Sequence, residues 1–236
     1  MSTGTPVDRG SAGGEPLDSV SDVLEAVKPR LRGWLHAAMT PLAVAAGVVL
    51  IALAPTELGR LGGAVFLVAS VMLYGTSGLY HGFTWGRRGE AILRRIDHAN
   101  IYLFIAATYT PFALMMLQGA SRVLLLSVIW GAAIGGLLFR LFWLGAPRWL
   151  YTVLYLAMGW AAVAWFGQFW AAGGPMVFLL ILTGGAFYTF GAVVYGLKRP
   201  NPFPRWFGFH EIFHACTIAA FAAHYLAISI ITYRAG

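Results

Sequence analysis

His210 and His214 stand four residues apart in the segment GFHEIFHA, and Glu211 completes the letters H-E-x-x-H between them. On an α-helix, side chains at i and i+4 lie on one face a turn apart, so two such imidazoles can converge on a single cation. Two histidines are only part of a site. His81, in SGLYH, is a further imidazole, with Ser77 one turn before it on the same helical face; Asp97, in RIDHAN, is an acid beside an apolar run. These residue types complete the pair in two ways. With His81 as third ligand the set is three neutral nitrogens and an open fourth position, the pattern of catalytic zinc. With Asp97 instead, it is two histidines and a carboxylate, which favours non-haem iron. Hydrogen bonding between helices among polar side chains is the reading that needs no metal.

The elements that must position these residues are membrane spans. The 236-residue chain is 59% hydrophobic and 11% charged, far from the roughly 25% charged residues of soluble domains. Apolar windows of roughly twenty residues lie near 33–54, 61–82, 98–117, 122–143, 149–171, 175–197 and 208–232, each long enough for a hydrocarbon core of about 30 Å. Such runs are too long and too continuous for barrel strands. The expected fold is therefore all-α, a seven-transmembrane helical bundle formed by residues 31–236 as one domain with short loops. The first nineteen residues, MSTGTPVDRGSAGGEPLDS, lack the apolar core of a signal peptide and are expected to form a disordered tail. A short amphipathic helix lying at the membrane interface is expected before residue 30: Val20, Val23, Leu24 and Val27 share a face, Ser19 and Asp22 have capping-box spacing, and Pro29 stops it.

A net charge of +7 raises the question of nucleic acid, but the basic residues follow the loops instead of forming a patch. Lys28, Arg30, Arg32, Arg87, Arg88, Arg94, Arg95, Arg140, Arg148, Lys198, Arg199 and Arg205 fall on one side; Arg60, Arg122 and Arg234 fall on the other. The positive-inside rule then puts the N-terminus in the cytoplasm and the C-terminus outside, in a multi-pass protein of the plasma membrane that binds no nucleic acid. With that topology His81, Asp97, His210 and His214 all lie at cytoplasmic ends of spans. Ionisable groups are expensive in lipid, so their collection at one depth marks the functional end.

The other polar residues receive different assignments. His98 is turned about 100° from Asp97 and faces the headgroups; His36 is a snorkelling histidine at the interface. His224 is ten residues beyond His214, about 15 Å along a helix and too far to share an ion, so it is expected to hydrogen-bond between helices. Cys216, the single cysteine, is a small packing residue. Gly131, Gly135, Gly136, Gly184, Gly185 and Gly191 are spaced for close helix packing.

SGLYH (77–81), IDHANIYLFIAATYTPF (96–112) and GFHEIFHACTIAAFAAHYLAI (208–228) resemble the three signature blocks of the hemolysin III proteins, the bacterial branch of the progestin and adipoQ receptor family. RGWLHA (32–37) resembles the family's opening block, so the likeness spans roughly residues 31 to 232. It implies zinc held by His81, His210 and His214, with water as a fourth ligand and Ser77 and Asp97 beside it. A wider similarity to alkaline ceramidases implies hydrolysis of a lipid amide, with a membrane lipid as substrate. Adiponectin-receptor relatives resemble this chain but carry glutamine at the position of Glu211, which implies that Glu211 is not the obligatory base and makes an interfacial or outer-sphere contact instead. The intramembrane zinc protease reading of H-E-x-x-H lacks an aspartate after the motif to complete it.

On this reading Asp97 orients or deprotonates the water and Ser77 donates a hydrogen bond to the water or the developing oxyanion. The rival is non-enzymatic: a structural zinc clamps helices of a membrane-fluidity regulator, a sensor or a cytolytic factor. The family's name implies the last of these.

Overall fold

The computed structural model describes residues 31–143 and 145–235; the tail and the expected interfacial helix before residue 30 lie outside them. Seven α-helices follow one another among the described residues: α1 (Trp34–Leu53), α2 (Glu57–Gly82), α3 (Arg87–Met116), α4 (Gly119–Phe142), α5 (Arg148–Gly159), α6 (Phe166–Leu197) and α7 (Phe209–Tyr233). A 3-10 turn, Ala161–Trp165, joins α5 to α6. The long uninterrupted apolar runs dictate this outcome, because a helix satisfies every backbone polar group within its own segment and lipid offers no alternative partner. Local chemistry sets the boundaries. Thr56 caps α2 by accepting from the Gly59 N–H at 3.1 Å, and Glu57 in the first turn complements the positive end of the helix dipole.

The stretch Arg148–Leu197 forms 50 residues of apolar helix, which as a straight rod would measure about 75 Å, more than twice the hydrocarbon thickness. It is not straight. Gly174 has φ 72° and ψ 179°, a conformation glycine adopts readily, and Pro175 next to it cannot donate a helical hydrogen bond. The limbs then run antiparallel: Trp170 meets Phe178 at 5.4 Å between ring centroids, Trp160 donates to the Thr189 hydroxyl at 3.0 Å, and Tyr151 approaches Tyr195 at 6.5 Å. Taken as one stretch, Arg148–Leu197 is one of six helical segments long and apolar enough to cross a membrane. Its two limbs coincide with the apolar windows near 149–171 and 175–197.

Helix α3 is the axis of the bundle and touches α2, α4, α5, α6 and α7. In its most apolar window 72% of residues are buried, against 17% for α4; α3 is enclosed by protein and α4 is a peripheral helix facing lipid. Phe66 of α2 stacks on Phe221 of α7 at 5.2 Å and lies 6.0 Å from Phe104 of α3, so the three helices that carry the ionisable residues share one aromatic core. The outer surface exposes Leu42, Val48, Leu53, Val68, Val123 and Leu179. An apolar surface of that extent is a lipid-facing one, and the chain is a multi-pass membrane protein.

The expected glycine packing is corrected in part. A Cβ at Gly131 or Gly135 would meet nothing within 4 Å, and one at Gly185 would only graze the Trp160 ring. These positions sit on faces without a close neighbour. Gly136, Gly184 and Gly191 do lie against Tyr102, His224 and Cys216.

Candidate metal centre

His81 is the penultimate residue of α2, and His210 and His214 occupy the first two turns of α7. Their approach depends on how the two helix ends are held. Gly33, at φ 90°, brings the start of α1 across the end of α2 so closely that a Cβ there would lie 2.7 Å from the Gly82 nitrogen. This crossing carries Arg32 to Glu211, whose carboxylate is fully buried: Oε1 is 3.2 Å from Arg32 Nε, and Oε2 accepts from the Gly208 N–H at 2.8 Å. Glu211 is thus the reciprocal half of a capping box at the N-terminus of α7 and an ion-pair partner. Both oxygens are engaged by Arg32 and the Gly208 N–H.

His81 Nε2 and His210 Nε2 stand 3.3 Å apart. Two nitrogens bound tetrahedrally to zinc at 2.0–2.1 Å would be separated by about 3.3 Å, so this edge already has the required length. The ring centroids of His210 and His214 are 4.5 Å apart and those of His81 and His214 are 5.4 Å apart. One ligand atom from each of His81, His210 and His214 lies within 4.8 Å of those from the other two. Among the described residues this is the grouping that fits a metal, and Asp97 is not a member of it. His214 Nδ1 is buried without a hydrogen-bond partner. Three imidazoles grouped this closely offer nitrogen lone pairs that suit a cation.

Asp97 is buried on α3 with Oδ2 at 3.7 Å from His81 Nε2, near the cluster but beyond a hydrogen bond. Its register is fixed by Asn100, on the same face of α3, whose amide donates to the Met72 carbonyl at 3.0 Å and the Thr76 hydroxyl at 2.7 Å of α2. Ser77 is buried on α2 and lines the same end of a cavity as Asp97, His210 and His214. The five residues singled out from the sequence are therefore assembled at one end of the bundle.

Two histidines are placed differently from the expectation. His36 does not snorkel: it is 3% exposed and stacks on His214 with centroids 3.7 Å apart and planes 14° from parallel. Its Nε2 is 3.0 Å from the Thr217 hydroxyl, which gives its own proton to the His214 carbonyl at 2.7 Å. Thr217 must then accept, so His36 carries its proton on Nε2. The reason for burial is the crossing at Gly33, which turns the first residues of α1 inward over α7. His98 does not face the headgroups either. Its Nδ1 lies 3.1 Å from Arg140 Nη2, and Arg140 is fully buried over the Tyr151 ring at 4.5 Å. Helices α4 and α5 cover that side of α3, and His98 remains outside the metal grouping.

Sequence reasoning passed over Arg32, Asn100 and Thr217, and for two of them the spacing held a signal. Asn100 and Thr217 follow Asp97 and His214 by three residues, on the same helical faces. Arg32 had none, because its partner is 179 positions away.

From this end the cavity runs inward between α3, α5, α6 and α7, past Phe104 and Phe166 to Phe112, Phe169 and His224. Trp160, Gly185 and Thr189 also line it, and Trp160 is 39% exposed on the lipid-facing side. The cavity therefore comes within one side chain of the bilayer between α5 and α6.

The family model for haemolysin-III related proteins matches residues 24–225. A hemolysin-3 homolog of Bacillus subtilis (strain 168) is 34% identical over 164 residues, covering 70% of this chain and 74% of that protein. Hemolysin-3 of Bacillus cereus is 32% identical over 164 residues, covering 70% and 72% respectively.

Proposed function

The chain belongs to the haemolysin-III related family, and from that premise we propose that it is a zinc-dependent hydrolase of a lipid amide or ester in the plasma membrane, acting on membrane lipid homeostasis. His81, His210 and His214 would hold the ion. Zinc bound there would act as a Lewis acid and make water nucleophilic near neutral pH. Zinc is favoured over iron because the three nitrogens group without Asp97.

The observation that carries this reading is the course of the cavity. One end is walled by Ser77, Asp97, His210 and His214, and the remainder mostly by apolar and aromatic side chains as far as Phe112 and Phe169, with Tyr188 and His224 among them. A lipid with a polar carbonyl and an acyl chain matches that distribution. In the reaction, a water oxygen bonds to the carbonyl carbon and the bond to the amide nitrogen or ester oxygen breaks. Asp97 takes a proton from the water and returns it to the leaving atom, while the Ser77 hydroxyl donates to the carbonyl oxygen as charge develops on it. The Trp160 side of the cavity provides lateral access from the bilayer. Seven spans, counting Arg148–Leu197 as two, with a cytoplasmic N-terminus and an external C-terminus, put this chemistry at the cytoplasmic face.

Purified protein in nanodiscs containing N-acyl amide and ester lipids, with released fatty acid measured by mass spectrometry, tests the proposal. Acid release by the metal-loaded protein, abolished by chelation and by Asp97→Asn, is the expected result. The second reading is a non-enzymatic membrane regulator in which the metal only clamps α2 to α7; it is favoured by the contact of His81 with His210 across 129 positions. No release from any lipid, together with metal-dependent thermal stability, would support it instead.

A further inference from the structure

The far end of the cavity carries a second polar locus that the hydrolytic reading does not use. His224 of α7 is buried, and its Nε2 is 3.1 Å from the Ile181 carbonyl of α6. A carbonyl only accepts, so the proton is on Nε2 and Nδ1 is a bare acceptor. That Nδ1 is buried without a partner, and so is the hydroxyl of Tyr188, whose ring centroid is 5.6 Å from that of His224. Both residues line the cavity.

The neighbouring hydroxyls do not share this condition. Thr108 donates to the Phe104 carbonyl at 2.8 Å, Thr189 to the Gly185 carbonyl at 2.7 Å, and Tyr109 accepts from the Ala162 N–H at 3.1 Å. These hydroxyls are satisfied by the protein, whereas His224 Nδ1 and the Tyr188 hydroxyl are buried without a partner at residues that line the cavity. An unpaired polar group in such surroundings is costly, which favours a guest that pairs it. The position is also built for the imidazole. A Cβ at residue 184 would collide with the His224 ring, so glycine there is what admits the ring to the Ile181 carbonyl.

We propose that His224 and Tyr188 form a subsite for a hydroxyl group carried in the middle of an acyl chain, the guest donating to His224 Nδ1 and accepting from Tyr188. This deepens the lipid-hydrolase reading and rests on it for the position of the polar head, beside His210 and His214. Ten residues of α7 separate His214 from His224, about 15 Å, a distance that an extended chain of about twelve carbons covers.

The test is equilibrium binding of unesterified fatty acids to the full-length protein in detergent, so the readout does not require turnover. The probes are octadecanoate, 2-hydroxyoctadecanoate and 12-hydroxyoctadecanoate. The 12-hydroxy acid should bind about tenfold more tightly than octadecanoate, and the 2-hydroxy acid, whose hydroxyl stays at the head, should gain nothing. His224→Phe and Tyr188→Phe keep the aromatic volume and should each bring the ratio of the two affinities, 12-hydroxyoctadecanoate over octadecanoate, toward one. Equal binding of the 12-hydroxy acid and octadecanoate overturns the subsite alone, as does a preference that survives both substitutions. Failure of all three acids to bind overturns the lipid-filled cavity and the subsite with it. Binding with the expected preference but no lipid cleavage keeps the subsite and removes only the hydrolase.

Discussion

The imidazole of His36 lies flat against that of His214, with ring centroids 3.7 Å apart and planes within 14° of parallel. The first turn of α1 thereby lies against a ring on α7, and Thr217 accepts from His36 Nε2 and donates to the His214 backbone carbonyl. Residues in contact with a metal-binding imidazole tune its orientation without touching the ion. His36→Ala should weaken metal affinity by about 10–100-fold, read by competition with a chelator of known affinity. Unchanged affinity would show that the stack is packing only.

The three-histidine cluster predicts about one metal per chain. Elemental analysis of purified protein should find that His81→Ala, His210→Ala and His214→Ala each lose most of it, whereas His98→Ala, which contacts Arg140 and lies outside the cluster, retains it. Full metal in all three single variants would end the assignment.

Asp97 stands 3.7 Å from His81 Nε2, too far for a hydrogen bond with it. Asp97→Asn keeps the shape and removes the base, so metal content should stay near one equivalent while acid release falls by at least about a hundredfold. Retained turnover in this variant would remove the acid from the chemistry.

Glu211 is fully buried between Arg32 and the Gly208 N–H. Glu211→Ala removes a cap and leaves Arg32 without this partner, which should cost about 2 kcal/mol or more and lower the thermal transition of the protein in detergent. Glu211→Gln, which can still accept from Gly208, should recover part of the loss. If Glu211 were the base, Glu211→Gln would lose turnover as fully as Glu211→Ala even where its stability is recovered.

Reporter fusions after residue 236 and within the loop around Arg87 should report opposite compartments if the chain crosses the membrane seven times, since the basic loops assign the N-terminus to the cytoplasm. The same compartment for both would leave the break at Gly174 as a kink within one membrane segment.

The bundle class was legible because hydropathy is a local property: twenty apolar residues in a row can only be satisfied as a helix, whatever their neighbours. The grouped histidines were legible for a related reason. Ionisable groups are rare in spans, and the i, i+4 spacing of His210 and His214 is fixed by helix geometry alone. Ser77 was legible as the residue one turn before His81, and His224 as a residue too distant to join them. Rotation and crossing could not be read locally. Whether His36 and His98 faced lipid or protein depended on which helix lay opposite, and both turned inward because α7 and α4 covered them. The two roles of Glu211 required Arg32, 179 positions away, to be carried over the end of α2 by Gly33. The unpaired Nδ1 of His224 likewise became visible only once α6 came close enough, at Gly184, to occupy Nε2 and leave the other nitrogen with no protein partner.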